Sequence, residues 1–108
     1  MVNVVEAKNA SFTYWREGKH VFIAPSGTIN AITAPSFLNA YRKAAEDAEV
    51  TCVTVDCRNL KTITSGGLRA FMVMKKALSQ WKIYLINVSP DVMNILDETD
   101  FTSLFDIP

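Results

Sequence analysis

The chain has 108 residues, 49% of them hydrophobic and 20% charged, with a formal net charge of zero. That balance describes one folded domain over residues 1–108 and excludes a disordered chain. No basic stripe suggests nucleic acid, no apolar run approaches the ~20 residues of a membrane-spanning helix, and "VNVVEAKNA" after Met1 lacks a leader pattern, so a cytoplasmic protein is expected.

In "SFTYWREGKHVFIAP", aromatic and β-branched residues flank "REGKH". This predicts two antiparallel strands, Phe12–Trp15 and Val21–Ala24, joined by a glycine-containing turn. "SGTINAIT" reads as a loop, and Thr33 with Pro35 two positions later marks a helix start. Phe37, Leu38, Tyr41, Ala44, Ala45 and Ala48 then keep to one helical face. "VTCVTVDC" is a short β-branched run, as expected of a strand covered on both faces. Its two cysteines, Cys52 and Cys57, are separated by an odd number of residues and so point to opposite faces; they read as reduced, small buried hydrophobes that cannot pair.

"RNLKTIT" reads as a loop leading to a second helix from about Gly66 to Gln80. Leu68, Phe71, Met72 and Leu78 line its inner side, and Arg69, Lys75 and Lys76 its wet side. "KIYLINV" is a further buried strand. Ser89-Pro90-Asp91 opens a third helix with a capping residue, a proline at the first position and an acid in the first turn; Val92, Met93, Ile95 and Leu96 form its buried side. "FTSLFDI" packs as a short extended tail. The expected order is β-β-α-β-α-β-α, an α/β domain with a mixed sheet.

Marks of catalysis are sparse. His20, the one histidine, falls in the expected first turn and reads as solvated. Without a second histidine or a CxxC there is no standard zinc constellation, and neither GxGxxG nor GxxxxGK[ST] is present to cradle a phosphate. "TSGG" is not a nucleophile elbow, because Ile63 stands where GxSxG needs its first glycine. The acids of "AEDAE" and of "LDETDF" (Asp97, Glu98, Asp100) read as solvated faces. The expectation is a protein that is not an enzyme and that uses no cofactor or metal.

The concentrated signal is "VTVDCRNLKTITSGGLRAFM", an apolar strand, a loop, and a helix opened by Ser65-Gly66-Gly67-Leu68. It resembles the STAS family, named for sulfate transporters and anti-sigma factor antagonists, in which a strand leads through a hydroxyl- and glycine-containing turn into a helix. "PSGTINAITAPSFLNAY", "KIYLINVSPDVMNIL" and "LDETDFTSLFDI" are similar to other segments of that family in the same order, so the resemblance covers roughly residues 10 to 107. It implies a STAS-like fold. For antagonists of this family it also implies a partner switch: an anti-sigma factor with serine kinase activity binds the unphosphorylated form and phosphorylates the turn, and a serine phosphatase resets it.

By resemblance the phosphorylated position falls on Ser65 and the helix-opening glycine on Gly67. Thr64 stands where the family has an acid before the serine, Asn30 where it has an aspartate, and Asp100 where it has a glycine. The first two lower the negative charge around the turn, and Thr64 is a second candidate for the phosphate. "TSGG" is also similar to the turn of the STAS subunit of a phospholipid-trafficking ABC transporter, which implies an alternative: a constitutive accessory subunit that braces an ATPase without phosphorylation.

Ser65 has two readings that do not exclude each other. Serine is a favoured helix cap, and the adjacent glycines relieve crowding between loop and strand. A phosphate at a helix N-terminus also meets unpaired amides and the positive end of the dipole, and Gly66 and Gly67 leave bare backbone that a kinase cleft could approach. The expected partner surface comprises Thr28, Asn30, Thr64, Ser65, Gly66, Gly67, Arg69 and Met72.

Overall fold

A computed structural model of the chain describes residues 2–46, 50–77, 82–101, 105 and 107. The elements run β1 (Asn3–Ala7), β2 (Ala10–Glu17), β3 (His20–Ile29), α1 (Ala34–Ala45), β4 (Cys52–Asp56), β5 (Asn59–Ile63), α2 (Ser65–Ala77), β6 (Lys82–Ile86) and α3 (Pro90–Glu98). They form the expected mixed α/β domain, with two strands more than the sequence pattern suggests. β1 is joined to β2 through a two-residue turn in which Asn9 takes a left-handed φ of 60°. β5 lies in the stretch expected to be a loop.

The sheet order is β1-β2-β3-β4-β6, with β5 also on β3. β1, β2 and β3 are antiparallel neighbours. β3 then serves two parallel partners in succession: residues 20–23 pair with β4, and residues 26–29 pair with β5. The chain leaves β3 at the end of β4, turns at Cys57 and Arg58, and returns to the same edge as β5. The register slips between Gly27 and Thr28, and Gly27 at φ 94° takes up the irregularity. So "SGTI", expected to be loop, is the far half of the longest strand.

One face of the sheet carries the core. Phe12, Val21, Ile23, Val53, Val55, Ile83 and Leu85 are sealed by Phe37, Ala40, Tyr41 and Ala44 of α1, Leu68, Ala70, Phe71 and Met74 of α2, and Val92 and Leu96 of α3. An aromatic chain links the layers: Phe12 to Phe37 at 5.8 Å, Phe37 to Phe71 at 5.2 Å, and Phe71 to Phe105 at 5.7 Å between ring centroids. Burial at these positions follows the helical and strand spacings of the sequence; Met72, Met93 and Ile95 are only half-buried. Ala48, Leu78 and the expected continuation of α2 to Gln80 lie outside the described residues, as does most of "FTSLFDI", of which Phe105 is buried.

On the opposite face, Trp15, His20, Phe22, Cys52 and Tyr84 are half-buried. His20 is therefore not a solvated turn residue. It begins β3, its ring stacks on Phe22 at 4.1 Å, and its Nε2 lies 2.6 Å from Thr54 Oγ1. The turn is shorter than the expected "REGKH": it is Gly18 and Lys19 alone, with β2 running on to Glu17 and β3 beginning at His20. Cys52 and Cys57 face opposite sides and are not disulfide-bonded, as expected. Burial, with a smaller contribution from Asp56, pushes the Cys57 thiol up to about 12.

α3 starts as its sequence predicts: Ser89 Oγ accepts from the Val92 amide at 3.2 Å, with Pro90 and Asp91 in the first turn. α1 does not. Thr33 sits at the cap position with no side-chain bond to the helix; its hydroxyl turns back to donate to the Thr28 carbonyl and to accept from the Asn30 amide. Asp100, in place of the family's glycine, has φ 60°, a left-handed conformation that aspartate tolerates better than most residues.

Candidate functional site

Two segments meet at the C-terminal end of β3 and the start of α2. Thr64 donates its amide to the Ile29 carbonyl at 3.0 Å, continuing the β3–β5 ladder for one more bond, and its own carbonyl accepts from Leu68 at 2.9 Å. Thr64 is thus the helix's flanking residue and Ser65 its first helical one. This corrects the capping role expected for Ser65. Both side chains are exposed, and neither hydroxyl has a hydrogen-bond partner among the described residues.

The glycines are required by packing. A Cβ on Gly67 would collide with the Ile29 carbonyl oxygen and come within 2.7 Å of Ile63 Cγ1. One on Gly66 would meet the Ala31 amide at 2.7 Å and its Cα at 2.8 Å. The first turn of α2 therefore lies directly on the loop that leaves β3, at a distance no side chain would allow. The bare backbone faces the protein's own loop, which corrects the idea that it is left open to an approaching kinase: Gly67 is buried and Gly66 half-buried.

That loop is braced by Asn30. Its Oδ1 accepts from the amides of Ile32 at 2.9 Å and Thr33 at 3.0 Å, a side-chain-built turn. An aspartate would offer the same acceptor, so the asparagine keeps the geometry and removes the charge. Thr28 and Asn30, both half-buried, line a cavity of about 280 Å³ with Lys8, Asn9, Ile32 and Thr33.

Ser65, Arg69 and Met72 follow one another at helical spacings of four and three, a single stripe along α2. Arg69 is exposed and Met72 half-buried. Beside this stripe, α1 and α2 enclose a shallow apolar groove of about 230 Å³, lined by Ala31, Pro35, Leu38, Gly66, Arg69 and Val73 among others. Of the expected surface, Gly66 and Arg69 line the groove and Thr28 and Asn30 the other cavity; Thr64, Gly66 and Gly67 pack on residues 29–31, Ser65 stands exposed beside them, and Met72 lies further along the helix, outside both cavities.

Sequence reasoning missed the groove, with Val73 42% exposed along it, and the exposed Ile32, at 73%, which lines the cavity shared with Thr28 and Asn30. Ile32 carried a faint signal as an isolated branched apolar residue in a polar loop. Val73 carried none, since every position around it is apolar or basic. Among the described residues no cluster of three or more histidine, cysteine or acidic side chains could hold a metal ion, and every buried side-chain nitrogen or oxygen has a hydrogen-bond partner.

The STAS domain model matches residues 14–108. The fold is similar to an anti-sigma factor antagonist from Mycobacterium paratuberculosis, with a TM-score of 0.78 and 16% identity over 91% of this chain and 84% of that one. It is also similar to the anti-sigma factor antagonist SpoIIAA in its unphosphorylated form, with a TM-score of 0.71 and 14% identity over 100% of this chain and 88% of that one. At such identities the likeness is one of fold. No curated protein sequence matches the chain. With a family match that runs from the second strand to the C-terminal residue and a fold shared with antagonists of that type, the chain belongs to the STAS domain family.

Proposed function

We propose that this chain is an anti-sigma factor antagonist, a regulatory binding module and not an enzyme, whose surface at the start of α2 is switched by phosphorylation of Ser65. Its partner is an anti-sigma factor with serine kinase activity, and a serine phosphatase restores the binding form. The observation that carries the reading is that Ser65 is exposed, its hydroxyl without a hydrogen-bond partner among the described residues, at the first position of a helix whose placement depends on Gly66, Gly67 and the Thr64 backbone instead. A serine needed for capping would be consumed by the fold; this one is available.

The chemistry is favourable. The first amides of a helix lack intrahelical acceptors, and the dipole there favours an anion. A phosphoryl group adds about −1.5 to −2 charges at pH 7. Placed on Ser65 it meets those amides, and the hydroxyl it replaces was supporting nothing. The fold persists while the rim changes from neutral to strongly anionic. With Thr64 and Asn30 in place of acids, the unmodified rim is nearly uncharged except for Arg69, so the phosphate alters a larger share of its charge. The anti-sigma factor antagonists that share the fold, one of them described in an unphosphorylated form, support the same assignment.

Incubating the chain with a candidate anti-sigma kinase and ATP, followed by peptide mass spectrometry, tests this. Phosphate at Ser65, with loss of the kinase complex, is the expected result. Phosphate confined to Thr64 moves the switch by one residue, and none at either position sinks the proposal.

A further inference from the structure

Away from this rim, at the opposite end of β3, the pairing of the strands sets four ionisable side chains in one transverse row of the sheet. Glu17 of β2 pairs with His20 of β3, His20 with Cys52 of β4, and Cys52 with Lys82 of β6. Register partners project to the same face, so a carboxylate, an imidazole, a thiol and an ammonium stand in sequence across the half-open side. Cys52 Sγ lies 3.5 Å from His20 Nε2. The imidazole is held there from two directions, stacked on Phe22 at an interplanar angle of 14° and bonded to Thr54 Oγ1 at 2.6 Å. Thr54 is itself buried, and Phe22 is backed by Trp15 at 5.1 Å.

A thiol reacts as its thiolate, and a fixed imidazole beside it both takes the proton and stabilises the resulting anion. Lys82, the partner of Cys52 on β6, adds a cation on the other flank, and Glu17 stands beside His20 on β2. Further along the ladder this face also carries Tyr84 and Asp56, one and two rows away, and Glu6 of β1, three rows away through Ser11 and Ser26, while Lys19 lies in the preceding turn. Cys57 supplies the contrast within the same segment: it faces the core, and burial holds it in the neutral thiol form.

We propose that Cys52 is a modification site: a reactive thiol, activated by His20, that is oxidised by hydroperoxides. The thiol proton passes to His20 Nε2. The thiolate sulfur attacks the nearer peroxide oxygen, a sulfur–oxygen bond forms and the oxygen–oxygen bond breaks. The departing oxygen takes the proton back from the imidazolium. Sulfur is oxidised to the sulfenic acid, and the peroxide is reduced to water or an alcohol. β3 runs roughly 30 Å from this site to the Ser65 rim, so the oxidation is an input separate from the switch, and it does not depend on that reading.

The test uses the full chain, hydrogen peroxide, and a cyclic 1,3-dione to trap sulfenic acid for peptide mass spectrometry. Expected is labelling at Cys52 at least about ten-fold faster than at Cys57, and at least about ten-fold faster than Cys52 in His20→Gln, which keeps a hydrogen-bonding group beside Thr54 but cannot take the proton. Iodoacetamide alkylation of Cys52 against pH supplies a second readout. Its half-rate point is expected below the ordinary thiol value of about 8.5 in the wild type and near that value in the variant. Equal rates in the wild type and a folded His20→Gln, or preferential labelling of Cys57, overturn the proposal. If the variant does not fold by circular dichroism, the wild-type profile decides: a half-rate point at or above the ordinary value overturns the proposal, and one clearly below it supports it.

Discussion

Ser65 and Ser89 both stand where a helix begins, and they are used in opposite ways. Ser89 precedes α3, accepts from the Val92 amide at 3.2 Å, and is followed by a proline that holds the first turn. Ser65 lies one position further in, as the first residue of α2, exposed and with a hydroxyl that has no hydrogen-bond partner among the described residues. The helix it opens is located by backbone contact, through Thr64 on Ile29 and two glycines pressed against residues 29–31. One serine builds its helix; the other rides on a helix built without it. The difference separates a hydroxyl that the fold uses from one that it leaves unused, although the two sites look alike in the sequence.

The comparison can be broken or sharpened by four substitutions. Gly67→Ala should have the largest effect, since its Cβ has no room between the Ile29 carbonyl and Ile63. We expect a loss of about 3 kcal/mol in denaturant unfolding, and a neutral result would mean that backbone packing does not locate α2. Ser65→Asp should lower affinity for the kinase partner at least about ten-fold, or about 1.4 kcal/mol by calorimetry, with the melting temperature nearly unchanged. A large drop in melting temperature instead would give Ser65 a structural role.

Ser89→Ala should cost about 1 kcal/mol of stability through the lost cap, leaving partner affinity as it was. Ser65→Ala should shift stability by less than about 0.5 kcal/mol while abolishing phosphate incorporation; if it costs as much as Ser89→Ala, the two serines are the same kind of residue after all.

Local signals in the sequence were enough for α3, whose Ser-Pro-Asp start is complete within three residues, and for the β-branched runs that became β3, β4 and β6. β5 was hidden because "NLKTI" is a strand only by virtue of β3, more than thirty residues earlier, and its polar residues disguise the alternation that buries Leu60 and Ile63. β1 was hidden for a similar reason: an edge strand with little burial leaves a weak pattern. At the candidate site, the position of Ser65 at the head of a helix was legible, and so was crowding as the reason for its glycines. The Asn30-built turn and the groove between α1 and α2 were not, because both depend on where two distant segments meet. The change in His20 from expected turn residue to clamped imidazole has the same cause, since its neighbours Cys52 and Thr54 are set by register across strands.

The double use of β3 also has a consequence for the order of assembly. Its antiparallel pairing with β2 closes across a two-residue turn, whereas its parallel pairings with β4 and β5 must each await a long crossover. The floor beneath Ser65 is the last part of that strand to find a neighbour: it needs Ile63 and Thr64 brought back to Ile29. A chain emerging from the ribosome therefore acquires its hairpin early and the surface around Ser65 late. Any partner that reads the assembled surface would discriminate in favour of finished molecules.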